Sequence, residues 1–363
     1  MRSLTPQFTA DSDYFDSTGG SVPANQRSQK WYPAPRMIYG SPNAPGTREA
    51  AQGMTLERRI TVNELGGNIR AFSNYAVAYY DARGARTYAR VWNTETPGLD
   101  RVNRDRMRFA ASGMVYKLLY SAGRPSDWPQ DLLAGSLGVR ILPTAGGPVD
   151  VRLLQIDIAV KDDRAGPTGW YFATYAYDRN APGNSPWLKM VPVGLMWGND
   201  PGGAPLQETW INPSAPEYAR THLGVDGRLN GPVDNPRSAC MSCHSTGQAP
   251  ALADMVPPPA GPCASRRAGW FRNLTGTQVF GRFDPQGGNC ATSLNGITVT
   301  ASDYSLQLAN TTSRALAGAA TFNPCTWDDT APPSGRETPA FEPTSRGWKP
   351  PRVYEVTRDP KPR

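Results

Sequence analysis

Five consecutive residues, Cys240-Met241-Ser242-Cys243-His244, join two thiols and an imidazole at C-x-x-C-H spacing. Thiols three residues apart lie within one helical turn and can form thioethers to both vinyl groups of one porphyrin. The next residue is then held beneath the ring, where its imidazole can bind iron. The spacing predicts one covalently attached haem c, with Cys240 and Cys243 as thioether anchors and His244 as proximal iron ligand. Pro236 sets the entry to the motif, and Ser238 is the expected cap of its turn. Two other chemistries also use C-x-x-C. A zinc site needs more soft ligands at short spacing, yet Cys263, Cys290 and Cys325 stand isolated and the chain has only one other histidine, His222. A redox dithiol sits between a strand and a helix of a βαβ unit, and no such unit is evident.

A haem held from one side leaves the opposite coordination position to be supplied. His222 is one candidate. The segment from Ser214 to Leu223 reads as a short helix, with Ser214 and Glu217 at capping-box spacing, Pro216 in the first turn and Gly224 as the stop. His222 lies in its last turn, where a positive ring would instead complement the helix dipole. Met255 is the only methionine after the motif. Met190 and Met196 lie upstream, Met196 within the apolar run "VGLMWG", where a core role competes with a ligand role. An open distal position completes the set. In that case His222 would be a distal base, with Arg220 or Arg237 able to polarise a bound oxygen species.

The elements that must carry these residues are constrained by composition. The 363 residues include 36 Gly and 36 Pro, about 20% together against a usual ~12%. Long helices and coiled coils are thereby excluded, while 10 Trp, 15 Tyr and 10 Phe supply enough aromatic surface for a folded core. Residues 1–55 read as an irregular arm with one anchoring strand near "KWYPAPRMIYG". Residues 56–212 alternate with a strand period: "IRAFSNYAVAYYD" and "ARTYARVWN" as a hairpin turning at Gly84, then "VRLLQIDIAVKDD", "GWYFATYAYD", "KMVPVGLMWGND" and "LQETWIN". Helical interruptions are expected at Arg104–Tyr120 and over "SDWPQDLLAG". Residues 213–363 read as a loop-rich haem-attachment region, with a helix after Ser302 as N-cap. The expected fold is mainly β with short helices: an antiparallel β-sandwich-like scaffold or curled sheet plus a loop-rich haem-binding segment.

The motif and its Pro/Ser lead-in resemble the c-type cytochromes. The stretch from "PVGLMWGNDP" to "CMSCHST" is faintly similar to large bacterial single-haem proteins. The resemblance implies covalent haem, single-electron transfer with a redox partner protein, and assembly outside the cytoplasm. Only Cys240, Cys243 and His244 inherit roles from it. The strand-rich chain departs from the compact all-helical cytochrome c fold, and no methionine stands well downstream of the motif.

Three functions are compatible with these residues: an electron carrier, a haem enzyme with an open distal site (peroxidase-like or small-oxide reduction), and a partner- or glycan-binding sandwich with an appended haem. The last draws on Trp92, Trp170, Tyr171, Trp187, Trp197 and Trp210. Net charge is +7, from 38 basic and 31 acidic residues with no run of five like charges, so nucleic acid is not an expected partner. No stretch is apolar enough to span a membrane. Haem c assembly implies a periplasmic or surface location, although no signal sequence is visible in this numbering. In that compartment two of Cys263, Cys290 and Cys325 would form a disulfide, with the pairing open.

Overall fold

The computed structural model describes residues 31–34, 49–51, 54–91, 102–141, 143, 147–166, 168–198, 208–245, 247–249, 277–284 and 289–316. The fold is mainly β. Ten strands form one antiparallel sheet: β1 (Trp31–Pro33), β2 (Glu49–Ala51), β3 (Met54–Ile60), β4 (Phe72–Asp81), β5 (Met114–Ser121), β6 (Gly138–Ile141), β7 (Val149–Lys161), β8 (Trp170–Tyr177), β9 (Met190–Trp197) and β10 (Glu208–Ile211). The spatial order is β10-β9-β8-β7-β5-β4-β3-β2, with β1 beside β4 and β6 beside β7. A second sheet of three strands has β13 (Asn289–Ala301) between β11 (Gln248–Ala249) and β12 (Thr277–Asp284). The helices are short: α1 (Ala82–Val91), α2 (Glu217–Arg220), α3 (Cys240–His244) and α4 (Leu306–Leu316). None among the described residues is long and apolar enough to cross a membrane.

Strand register divides the large sheet into two faces. Val77, Leu118, Ile156 and Tyr175 form one transverse row, and Tyr79, Tyr116, Ile158 and Ala173 the next. Most of these residues belong to a core that includes Trp31, packed edge-on to Tyr116 at 4.5 Å between ring centroids. The opposite face carries the row Ala78–Lys117–Asp157–Thr174–Gly194 and, beside it, Tyr80–Val115–Ala159–Phe172–Met196. Part of this second face packs into a cluster with Ala239 and Met241 of the motif region and with Tyr304 and Leu308. The motif is therefore laid on the sheet by the same apolar burial that holds the scaffold.

Several local expectations are corrected. "ARTYARV" is helical, not the second strand of a hairpin. Asp81 Oδ1 accepts the Gly84 N–H at 2.8 Å and so caps α1, and Tyr88 and Val91, three residues apart, are buried on one helix face. The helix expected from Arg104 to Tyr120 is one 3₁₀ turn at Arg104–Arg106 followed by strand β5. Ser112 at φ 61° and Gly113 break the path between them. "SDWPQDLLAG" forms only the 3₁₀ turn Pro125–Asp127, closed by Arg124 N–H donating to Asp127 Oδ2 at 2.8 Å. The Ser214 helix shrinks to the single turn α2, and the Ser214 N–H goes to Asn212 Oδ1 instead. Ser305, not Ser302, caps α4 by accepting the Leu308 N–H at 3.1 Å.

Candidate functional site

The C-x-x-C-H residues are the whole of α3. Its position is set by its buried members. Met241 is fully buried, and its N–H donates to Met196 Sδ on β9 at 3.2 Å. Ser242, also buried, caps the turn by accepting the Ala239 N–H at 2.9 Å, the role expected of Ser238. The lead-in is tied by Val225 N–H to Ser238 O at 2.9 Å and by Cys240 N–H to Leu229 O at 3.2 Å. With residues 241 and 242 turned into protein, Cys240, Cys243 and His244 face the other way and line one cleft. Neither cysteine is in a disulfide.

This cleft lies between α3 and the second face of the sheet, with about 1460 Å³ of empty space including its open mouth. One wall is aromatic: Tyr80, Phe109, Trp170 and Phe172. The His244 ring lies 4.9 Å from the Phe172 ring. His244 Nδ1 is 2.7 Å from the Tyr304 carbonyl. A carbonyl only accepts, so Nδ1 carries the proton and Nε2 presents its lone pair. Iron-ligating histidines are oriented by this kind of second bond. Burial holds the imidazole below its usual pKa despite the opposing Tyr304 bond, which favours the neutral, ligand-competent form. Burial, reinforced by Asp234 and Asp157, pushes the Cys240 thiol well up, so it rests as a thiol rather than a thiolate.

The cleft floor is charged, and sequence reasoning did not find it. Glu57, Lys117, Asp157 and Asp234 all line it. Lys117 Nζ pairs with Glu57 Oε2 at 3.0 Å. Gln155 Nε2 donates to Asp157 Oδ1 and Oδ2, each at 2.9 Å, and to Asp234 Oδ2 at 3.0 Å. Thr174 Oγ1 donates to Asp157 Oδ1 at 2.8 Å and the Gly231 N–H to Asp234 Oδ2 at 3.0 Å. Burial, then the nearby Asp234 charge, pushes the Asp157 carboxyl up to about 7. The signal was present in "LLQIDIAV", where Gln155 and Asp157 alternate with apolar residues, and in the lone Lys117 of "YKLLY". The polar set faces a cleft, not bulk solvent.

Gly231 makes this floor possible, because a Cβ there would overlap the Gln155 amide. Gly231→Ala is expected to lower stability by about 1–3 kcal/mol through forced displacement of Gln155. A lowered denaturation midpoint in urea, with an unchanged slope, checks this.

The candidate distal residues are dispersed. Met196 is fully buried beneath α3, with its sulfur occupied by the Met241 N–H. Met190 belongs to the core on the other face of the sheet. His222 lies beyond the end of α2 with Nε2 2.7 Å from the Asp234 carbonyl, and it lines a separate groove with Tyr177 and Tyr218. Neither Arg220 nor Arg237 lines the cleft of His244. Met255, Cys263 and Cys325 lie outside the described residues, as does the side chain of Cys290. Among the described residues, no group of three or more His, Cys, Asp or Glu is arranged to hold a metal ion by itself. Trp170 of the aromatic set is buried in the cleft wall, and Trp210 stands half exposed on edge strand β10.

The residues present fit a covalently held haem. Two cysteines outside any disulfide and an imidazole whose Nδ1 is held by the Tyr304 carbonyl share one aromatic-walled cleft. Asn230, 1% exposed, also lines it, and its Nδ2 has no hydrogen-bond partner. Such a buried donor calls for an acceptor on whatever occupies the cleft. In comparisons with known proteins, the chain matches no family model, no curated protein and no solved structure.

Proposed function

We propose that the chain is a monohaem c-type protein that passes single electrons to or from a redox partner protein outside the cytoplasm. The observation that carries the reading is the convergence of Cys240, Cys243 and His244 on one cleft, with the imidazole oriented by the Tyr304 carbonyl. A bound haem supplies one-electron chemistry at iron. The chain's own residues do the rest. Cys240 and Cys243 anchor the ring edge, and His244 presents Nε2 from one face. Tyr80, Phe109, Trp170 and Phe172 exclude water from its apolar part. The location follows from the resemblance to c-type cytochromes, whose haem is attached after export, with the thiols kept reduced until then.

A second reading has its own support. None of His222, Met190 and Met196 lines the cleft, while Glu57, Lys117, Asp157 and Asp234 do. An open distal position over ionisable side chains suits a small ligand that exchanges protons. One experiment separates the two. The chain is expressed with the c-type maturation machinery, and spectra are recorded oxidised and reduced, with and without carbon monoxide or cyanide. A low-spin spectrum indifferent to both ligands supports the electron carrier. A high-spin spectrum that shifts on addition supports the ligand-binding protein. Absence of haem rejects both.

A further inference from the structure

The floor of the cleft holds more acid than base. Three carboxylates, Glu57, Asp157 and Asp234, line it with one ammonium, Lys117, which is paired to Glu57. Asp157 and Asp234 are served by the same amide nitrogen, Gln155 Nε2. That places them within the ~6 Å range in which like charges oppose each other's ionisation. Their other donors are neutral: the Thr174 hydroxyl and the Gly231 N–H. Arg58 and His222 approach Asp234 only at its backbone carbonyl. The remaining titratable groups around the floor are Tyr80 on β4, held protonated by burial, Tyr304, and the motif's own Cys240, Cys243 and His244. A strand-borne carboxylate and a loop carboxylate thus face one cleft with half a counter-charge each at most.

We propose that Asp157 and Asp234 form a one-proton site in the cleft, so that a change of charge on the group held by His244 is coupled to uptake or release of one proton there. The inference rests on the haem reading. The balance is simple. For each electron that a bound haem would receive from the redox partner, the carboxylate pair would take up one proton from water through the cleft mouth. Both leave on reoxidation. No bond between heavy atoms forms or breaks. The pair lies near the motif, since both carboxylates act on the Cys240 thiol and Asp234 also acts on the His244 ring. The position of Asp157 near neutrality, set first by burial and then by Asp234, places the exchange between about pH 6 and 8. The site makes proton-coupled electron transfer the reaction class, whether the electron goes on to a partner or to a bound small molecule.

The sign follows from charge. Above this window the pair is more negative and stabilises the oxidised, more positive iron, so the reduction potential falls as pH rises. The test is a redox titration of the haem-loaded protein from pH 5 to 9. Full coupling changes the reduction equilibrium tenfold per pH unit, about 59 mV, and partial coupling gives a proportionally smaller slope. Asp157→Asn is expected to flatten the curve between pH 6 and 8. Asp234→Asn, which leaves β7 untouched, is expected to do the same if the first variant folds poorly. An infrared difference spectrum of the wild type between pH 6 and 8 should show a protonated carboxyl band that Asp157→Asn removes. A wild-type potential independent of pH, or an equal slope in both variants, overturns the proposal while leaving the haem reading intact. A chain without covalent haem rejects both.

Discussion

Replacing Cys240 and Cys243 together by serine is expected to reduce covalently bound haem to background on a denaturing gel stained for haem. The folded scaffold should survive. The prediction follows from how α3 is held. Its anchorage is Met241, fully buried against β9, and Ser242, which caps the turn from inside the protein. The two thiols contribute little to that anchorage, being only part-buried on the cleft side. Serine is close in size and keeps the helix turn, so far-ultraviolet circular dichroism and the melting temperature should change little. Each single serine variant leaves one thioether site and should retain a smaller, less stable fraction of haem. His244→Ala should leave both anchors and remove the axial ligand, giving attached haem with a changed spectrum. A double serine variant that still carries covalent haem would overturn the assignment of these cysteines. Loss of folding in that variant would instead show that the thiols belong to the core.

The convergence of the three motif residues on one cleft was legible in the sequence because it is local. Cys240, Cys243 and His244 lie within the five residues of one short helix, and their spacing alone places them together. The antiparallel sheet was legible for a similar reason, since the alternation in β4, β7, β8 and β9 survives whatever packs on them. The partners of the site were not legible, because they arrive from separate strands and a distant turn. Lys117 lies in a stretch, 104–120, whose apolar spacing also fits a helix, and only Ser112 and Gly113 mark the break that makes its second half a strand. Asp157 was seen as the polar half of an alternating strand, but alternation does not tell bulk water from a polar cleft. Tyr304 holds His244 through its backbone carbonyl, for which side-chain identity carries no signal. His222 shows the reverse case: a residue type able to ligate iron, taken by the Asp234 carbonyl and turned to another groove.

Asp303→Ala is expected to destabilise the protein by about 3–5 kcal/mol, the range for removing one partner of a buried ion pair. Asp303 is the hub of the turn that supplies the His244 acceptor. Its Oδ1 accepts from Lys161 Nζ at 2.7 Å and Trp170 Nε1 at 3.2 Å, and its Oδ2 from the Phe109 N–H at 2.7 Å. The Lys161 and Asp303 side chains are only 3% and 11% exposed. Alanine leaves the ammonium buried without a counter-charge, with the Thr168 carbonyl 3.3 Å away and the Trp170 ring centroid at 5.2 Å, and leaves two further donors unmet. It also frees a turn in which Asp303 and Tyr304 both adopt left-handed backbone, at φ 48° and 65°, a conformation that non-glycine residues hold only when their surroundings fix it. Lys161→Met should cost a similar amount by stranding the carboxylate. The double variant Lys161→Met with Asp303→Ala should cost less than the two singles combined, because neither charge is then left buried without its partner. Urea denaturation of the four proteins measures the coupling. A purely structural role would stop there. Because Tyr304 O holds the Nδ1 proton of His244, Asp303→Asn in the haem-loaded protein should also shift the reduction potential at conditions where it remains folded. An unchanged potential would confine Asp303 to stability and detach the turn from the chemistry of the imidazole.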